Sequence, residues 1–241
     1  NSDAALSRVG SDVAPADPRF RIVRAEAVQN AAGARNVGLA AAMGEWITFL
    51  DDDDAYRPAK LARQIALARR MDAPVVLCGA QIHLRGRTRL RHTRAARLSG
   101  DELLNAAGFA TPLILHRRVP GMGFDEGLFA GEDLHYLQGL FAHFGMVTAH
   151  VVPEPLVDVY QDVVARDRTN LRADAGWRAA RRTWGQFGPR YSAAARRLFI
   201  VRALITRAKL QGRPGLVVAR LRALVRAGGW QEMRFALNAI V

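Results

Sequence analysis

The chain has 241 residues, 50% of them hydrophobic and 24% charged, a balance that supports a buried core and excludes intrinsic disorder and collagen-like order. Lysine and arginine total 35 against 22 acidic residues, a formal net charge of +13; anionic partners are favoured, and charge alone does not choose among nucleic acid, phosphate-bearing small molecules and anionic lipid. The single cysteine, Cys78, excludes an intramolecular disulfide and a thiolate-rich zinc site, and no uncharged apolar run approaches the roughly 18 residues of a membrane span, Leu198 to Ile205 being broken by Arg202.

In chain order, short β-like runs alternate with helical patterns, which predicts an α/β fold with a mostly parallel sheet flanked by helices. Phe20 to Val23 reads as a strand. Ala34 to Met43 reads as a helix stopped at Gly44, and Trp46 to Leu50 as a β-branched and aromatic strand. Pro58 opens a helix through Met71, with Leu61, Ile65 and Leu67 as its apolar face. Pro74 to Leu84 is the next strand, with Cys78 in the core, and Ser99 with Glu102 forms a capping box. Leu113 to Leu115 follows as a strand, Glu132 to Phe144 as a helix and Met146 to Val152 as a strand. From about Leu171 the pattern is helical and studded with arginine, with breaks at Gly188-Pro189, Gly212 to Gly215 and Gly228-Gly229. This divides the chain into residues 1–170 and a basic α-helical region, residues 171–241.

The sharpest chemical signal is Phe49-Leu50-Asp51-Asp52-Asp53-Asp54, an apolar strand that ends in consecutive carboxylates. Ligands of open α/β sheets bind at the carboxyl ends of strands. Four adjacent carboxylates repel one another, and an oxygen-preferring divalent cation, Mg²⁺ or Mn²⁺, offsets that repulsion while also binding phosphate. In an extended segment Asp51 and Asp53 face one side together and Asp52 the other. A solvated acidic turn with Asp54 capping the next helix is the alternative reading of the same residues.

The stretch from Asn30-Ala31-Ala32-Gly33-Ala34-Arg35-Asn36-Val37-Gly38, through Gly44-Glu45-Trp46-Ile47 and the aspartates, to Pro58-Ala59-Lys60-Leu61 resembles the family 2 glycosyltransferases. The resemblance covers roughly residues 20 to 160. It implies a GT-A fold, Rossmann-like, followed here by a C-terminal helical subdomain. It also implies that Asp51 and Asp53 are the first and last acidic positions of the family's DXD-type motif for the ribose and metal-diphosphate of a nucleotide-sugar donor. Asp53 is then the direct metal ligand, and Arg35 lies near the nucleotide. Gly123-Phe124-Asp125-Glu126 followed by Gly131-Glu132-Asp133-Leu134 looks like a second family segment, whose final acidic residue, here Asp133, is the catalytic base. Inverting transfer needs such a carboxylate to take the acceptor's proton while a metal stabilises the departing diphosphate. A place in the first turn of a helix is expected to keep Asp133 ionised. Taken alone, Glu132 and Asp133 are ordinary first-turn acidic residues.

Two departures from the family pattern stand out. The opening strand, helix and strand that hold the nucleobase are missing, with Asn1-Ser2-Asp3 as their tail; either the chain is a truncated version of a longer enzyme or part of the donor site has been lost. Pro155-Leu156-Val157-Asp158-Val159-Tyr160-Gln161 resembles a family strand but lacks the Arg and His that often follow, and Arg166 and Arg168 stand a few residues on. No Gln-x-x-Arg-Trp segment of processive synthases is present, which suits single addition. His83, His92, His116, His135, His143 and His150 show no metal-ligand spacing and are read as structural or surface residues. The arginine-rich C-terminal helices suit either an anionic membrane surface or packing on the preceding domain with their arginines solvated; no nucleic-acid motif is present and no nucleic-acid partner is expected.

The resulting expectation is a metal-dependent, inverting glycosyltransferase that moves a sugar from a nucleotide-diphosphate-sugar donor to a hydroxyl of a glycan or lipid-linked saccharide acceptor. Its place is cytoplasmic, peripheral at the inner face of the membrane. The alternative is a non-catalytic, incomplete transferase-like scaffold that docks on an anionic partner. A nucleotidyltransferase, also dependent on aspartate and metal, leaves the Glu132-Asp133 match unexplained.

Overall fold

A computed structural model describes residues 19–23, 28, 30–84, 86–91, 94–105, 110–161 and 173–210. The elements run α1 (Ala31–Ala41), β1 (Trp46–Thr48), β2 (Ala55–Tyr56), α2 (Lys60–Arg70), β3 (Val75–Leu84), β4 (Arg87–Arg91), β5 (Arg97–Ser99), α3 (Gly100–Leu104), β6 (Ile114–Arg117), α4 (Glu132–His143), β7 (Thr148–Gln161), α5 (Ala173–Phe187) and α6 (Ala193–Leu210). The strands form one sheet in the order β1-β6-β3-β7-β2, with β4 along β3 and β5 along β7. β3 is buried on both faces over most of its length, which is why its sequence is a continuous apolar run. Val75 and Leu77 enter a core shared with Phe49, Phe124 and α4; Val76, Cys78, Ala80 and Ile82 enter a second core with α2 and β7.

The sheet is mixed rather than mostly parallel. β3 and β7 pair in parallel, while the β1–β6, β3–β6, β3–β4, β2–β7 and β5–β7 pairs are antiparallel. The alternation of strands and helices hid this because β2 and β5 are too short to show a period, and β4 carries arginine at every second position on an exposed edge. Phe20 to Val23 forms no strand; Phe20, Ile22 and Val23 are exposed and have no strand partner among the described residues.

α2 also differs from its expected pattern. Leu61 points to solvent, and the fully inward row is Lys60, Gln64 and Ala68, one residue per turn. The Gln64 amide nitrogen donates to the carbonyls of Val76 and Leu113 at 3.0 and 3.1 Å, tying the helix to the sheet. Lys60 buries its whole length, donating from Nζ to Thr48 Oγ1 at 3.0 Å with the ammonium 4.0 Å from the Tyr56 ring centroid. The capping box of α3 forms as expected.

The helices after β7 pack against α3 and α4. Leu104, Phe187, Tyr191 and Ala195 form a small core, and His135 on α4 meets Thr183 on α5 at 3.0 Å. For α5 and α6 the packed arrangement is thus the one seen. The expected boundary near residue 170, Asn1 to Asp3, His92, Arg166, Arg168 and the glycine breaks after residue 211 lie outside the described residues. Among the described residues no helix is long and apolar enough to cross a membrane.

Burial pulls the Lys60 amine from 10.5 down to about 8. Its folded value lies below its unfolded one, so between about pH 8 and 10.5 the unfolded chain binds the additional proton and Lys60's contribution to stability rises with pH. Wild type is therefore expected to gain on Lys60→Met across this window, by on the order of 3 kcal/mol, in urea unfolding series. A difference that stays flat with pH would show that Lys60 keeps its charge.

Candidate active site

The aspartates do not extend β1. After Phe49 turns into the core, Asp51 to Asp54 close a turn in which the Asp54 N–H donates to the Asp51 carbonyl at 3.1 Å. The expected alternation of Asp51 and Asp53 on one side therefore does not apply. Asp52 and Asp53 are exposed at the tip, whereas Asp51 and Asp54 are half-buried at its base. Asp54 Oδ1 accepts from the Tyr160 N–H at 3.1 Å, which anchors the turn to β7. Beneath it Thr48 Oγ1 donates to the Ile114 carbonyl at 2.7 Å and accepts from Lys60, while the Tyr56 hydroxyl donates to the Phe49 carbonyl. Lys60 and Tyr56 stood in the motif that carried the family resemblance, but nothing in their spacing showed that they underpin the aspartates.

Arg35 joins this turn to the second motif. From α1 its guanidinium donates to Asp51 Oδ1 at 2.7 Å and to Glu132 Oε1 at 3.0 Å, and it lies 5.4 Å from the Phe124 ring centroid. Only 13% of the side chain is exposed. Glu132 was not singled out by sequence as a site residue distinct from Asp133.

The position of α1 follows from two asparagines. Asn30 caps the helix, accepting from the Gly33 N–H at 3.0 Å, and donates to the Glu126 carbonyl at 2.7 Å. Asn36 accepts from the Phe124 N–H at 2.6 Å and donates to the Phe124 carbonyl and to Glu126 Oε1. A Cβ at Gly123 would stand 2.8 Å from Asn36 Oδ1, so a side chain there would have to displace that amide. Phe124 stacks on Tyr136 of α4 with ring centroids 4.0 Å apart, and Phe49 meets both rings edge-on. The Tyr136 hydroxyl in turn meets Nε2 of His116 at 3.0 Å, and Nδ1 of that ring, facing the Arg117 carbonyl at 2.8 Å, carries the proton. Burial lowers His116 to about 4, in keeping with a neutral structural histidine.

Asp133 lies at the start of α4, where Gly131 in the left-handed region (φ 72°) turns the chain into the helix. Withdrawal from water, and then the neighbouring Glu132 carboxylate, push the Asp133 carboxyl up to about 7, against the Leu134 N–H bonded to its Oδ1 and the charge of Arg35. The expectation that the helix end would hold it ionised is thus reversed, because desolvation and a like charge outweigh the peptide dipoles.

A second polar group adjoins the turn. Arg57 grips Asp158 through two bonds of 2.9 Å, and His83 Nε2 approaches the same carboxylate at 2.8 Å while its ring stacks on Tyr160. The Arg57 hydrogen bonds hold Asp158 down to about 2. Arg182 pairs with Asp125 at 2.7 Å and fastens α5 to the loop before α4.

Among the described residues no three His, Cys, Asp or Glu side chains converge to enclose a metal. Mg²⁺ and its relatives, however, commonly take one or two carboxylates and complete their shell with phosphate oxygens and water. The exposed Asp53 carboxylate at the tip of an acidic turn offers such a partial set.

Residues 1–130 match the profile of "Glycosyl transferase family 2". Over 144 residues the chain is 32% identical to the succinoglycan biosynthesis protein ExoO of Rhizobium meliloti (strain 1021), a match covering 52% of this chain and 41% of that protein. A 39-residue segment is 49% identical to an uncharacterized glycosyltransferase of Haemophilus influenzae, covering 16% of this chain and 13% of that protein. The chain thus spans less than half the length of these relatives. Among solved structures it is similar to S. aureus TarS residues 1–349 in complex with UDP-GlcNAc, with a TM-score of 0.54 and 14% identity over 98% of this chain and 74% of that one. That likeness is one of fold, and the α/β GT-A architecture expected from the resemblance is the architecture seen.

Replacing Arg35 by Met leaves three neighbouring carboxylates without their shared cation. The variant is expected to lose on the order of 2 to 4 kcal/mol of stability, discounted for the partial exposure of Asp51. The Asp133 carboxyl should titrate higher still, read by carbon-13 NMR of the side-chain carboxyl. An unchanged titration would mean that Arg35 does not act on Asp133.

Proposed function

The chain belongs to glycosyl transferase family 2, and we propose that it transfers a sugar, with inversion, from a nucleoside-diphosphate donor to a hydroxyl of a glycan or lipid-linked acceptor. The observation that carries this reading is the Arg35 bridge: it brings the aspartate turn and the helix bearing Asp133 to one guanidinium. The donor class has further support from the UDP-GlcNAc bound by TarS.

In this mechanism the Asp133 carboxylate accepts the proton of the acceptor hydroxyl. The oxygen forms its bond to the anomeric carbon from the face opposite the diphosphate, and the bond from that carbon to the diphosphate oxygen breaks with its electron pair leaving on the diphosphate. A base with its pKa near the working pH combines a populated deprotonated form with useful basicity, which suits Asp133 at about 7. Asp53 would hold a divalent cation, which supplies charge to the departing diphosphate. Asp51, held by Arg35 at the base of the same turn, is assigned to the ribose and diphosphate; Arg35 stays close to the nucleotide by fixing that carboxylate. The cytoplasmic, membrane-peripheral setting belongs to this proposal as the place where lipid-linked acceptors are met.

Titration of UDP and GDP calorimetrically, with and without Mn²⁺, tests the donor half: metal-dependent binding of one of them is expected, weakened at least tenfold in Asp53→Ala. Asp133→Asn is expected to lower turnover by about 10²- to 10⁴-fold with nucleotide affinity kept within twofold. In the parent chain kcat/KM should rise with pH through about 7 as Asp133 gives up its proton. Full activity in Asp133→Asn would remove that residue from the base role.

A further inference from the structure

A cavity of about 220 Å³ opens between α4, α5 and α6, with Gly131, Leu134, Trp177, Phe199, Arg202 and Arg207 in its wall. Gly131 and Leu134 flank Glu132 and Asp133, so the cavity adjoins the first turn of the helix that carries the assigned base. Its two cations differ in kind. Arg207 is neutralised by Asp174 at 2.8 Å and lies over the Trp177 ring. Arg202, half-buried, has no carboxylate partner among the described residues; burial and the like charge of Arg91 on β4 both disfavour its charged form. A desolvated guanidinium beside a second cation is an unfavourable arrangement unless an anion completes it.

The walls narrow the choice of anion. Leu134, Trp177 and Phe199 make most of the surface around Arg202 apolar, which suits an anionic group joined to a hydrocarbon body rather than a free, strongly hydrated ion. The volume exceeds several waters at roughly 30 Å³ each and falls below the roughly 300 to 1,000 Å³ of a whole small-molecule site, so it fits a linkage and the start of a chain rather than an entire saccharide. We propose that this cavity receives the phosphate-bearing end of a lipid-linked acceptor, with the hydrocarbon against Trp177 and Phe199 and the phosphate at Arg202, so that the attached sugar begins beside the helix of Asp133. The assignment rests on the glycosyltransferase reading above and deepens it by naming the acceptor class.

The test titrates dodecyl phosphate below its critical micelle concentration, dodecanol and inorganic phosphate into the full chain, read by calorimetry, alongside UDP with Mn²⁺ on the same preparations. Dodecyl phosphate is expected to bind at least tenfold more tightly than either half of it. Arg202→Met should erase that advantage, leave UDP affinity within twofold and keep or raise the unliganded Tm, because it removes an uncompensated charge. Equal affinity for inorganic phosphate or for dodecanol overturns the proposal, as does unaltered dodecyl phosphate binding by Arg202→Met. A marked fall in Tm would also overturn it, by showing that Arg202 already has a structural partner. If UDP fails to bind while dodecyl phosphate behaves as described, it is the donor reading that fails, and the cavity stands as an alkyl-phosphate site without the acceptor role.

Discussion

Asp51 and Glu132 come from different ends of the domain, and the contact that lets them lie together is their shared hold on Arg35. Three carboxylates, these two and Asp133, would otherwise repel one another in a partly dehydrated space. The guanidinium suits the task because it stays charged at any relevant pH and offers several donors in a rigid plane. Its own placement depends on α1, and α1 is set by Asn30 and Asn36 gripping the backbone from Phe124 to Glu126. The Phe49, Phe124 and Tyr136 rings then fix the distance between the end of β1 and the start of α4. Aromatic packing sets the geometry, and the arginine makes it electrostatically tolerable.

The same arrangement places the carboxylates in different surroundings. Asp51 and Glu132 are engaged by the cation. Asp133 sits next to Glu132 on the drier side and is driven toward a pKa near neutrality. Chemically similar groups acquire different tasks when their surroundings push their proton affinities apart. Here one arginine faces two of the three, and the third is half-buried at a helix start.

Much of this was legible in the sequence, but unevenly. The aspartates after an apolar strand, Arg35 in its helix and the Glu132-Asp133 pair were visible because each combines a residue type with a fixed place in an element. The capping box at Ser99 and the strand over Pro74 to Leu84 with Cys78 in the core followed from local rules that tertiary structure did not override. What escaped depends on contacts distant in sequence. No periodicity could show that Lys60 and Gln64, rather than Leu61, face inward, because their burial relies on Thr48, Tyr56, Val76 and Leu113 as partners. The turn at Asp51 to Asp54 replaced the expected extension for a related reason: the Tyr160 N–H captures Asp54 from another strand. The antiparallel pairs were hidden because β2, β4 and β5 are short or charged and are recognisable only by their partners.

Net charge is the least informative guide to this site. A chain of +13 suggests that an anionic donor needs no help in binding, yet the local count runs the other way. Arg35 is engaged by Asp51 and Glu132, and among the described residues two further cations by the turn are committed: Lys60 is buried beneath it and Arg57 is paired with Asp158. Among the described residues, arginines stand on α2, β4, α5 and α6. A diphosphate arriving at the aspartates would meet carboxylates of its own sign in the turn. This is the electrostatic ground for the proposal of a divalent cation at the exposed Asp53, which would reconcile an acidic turn with an acidic donor.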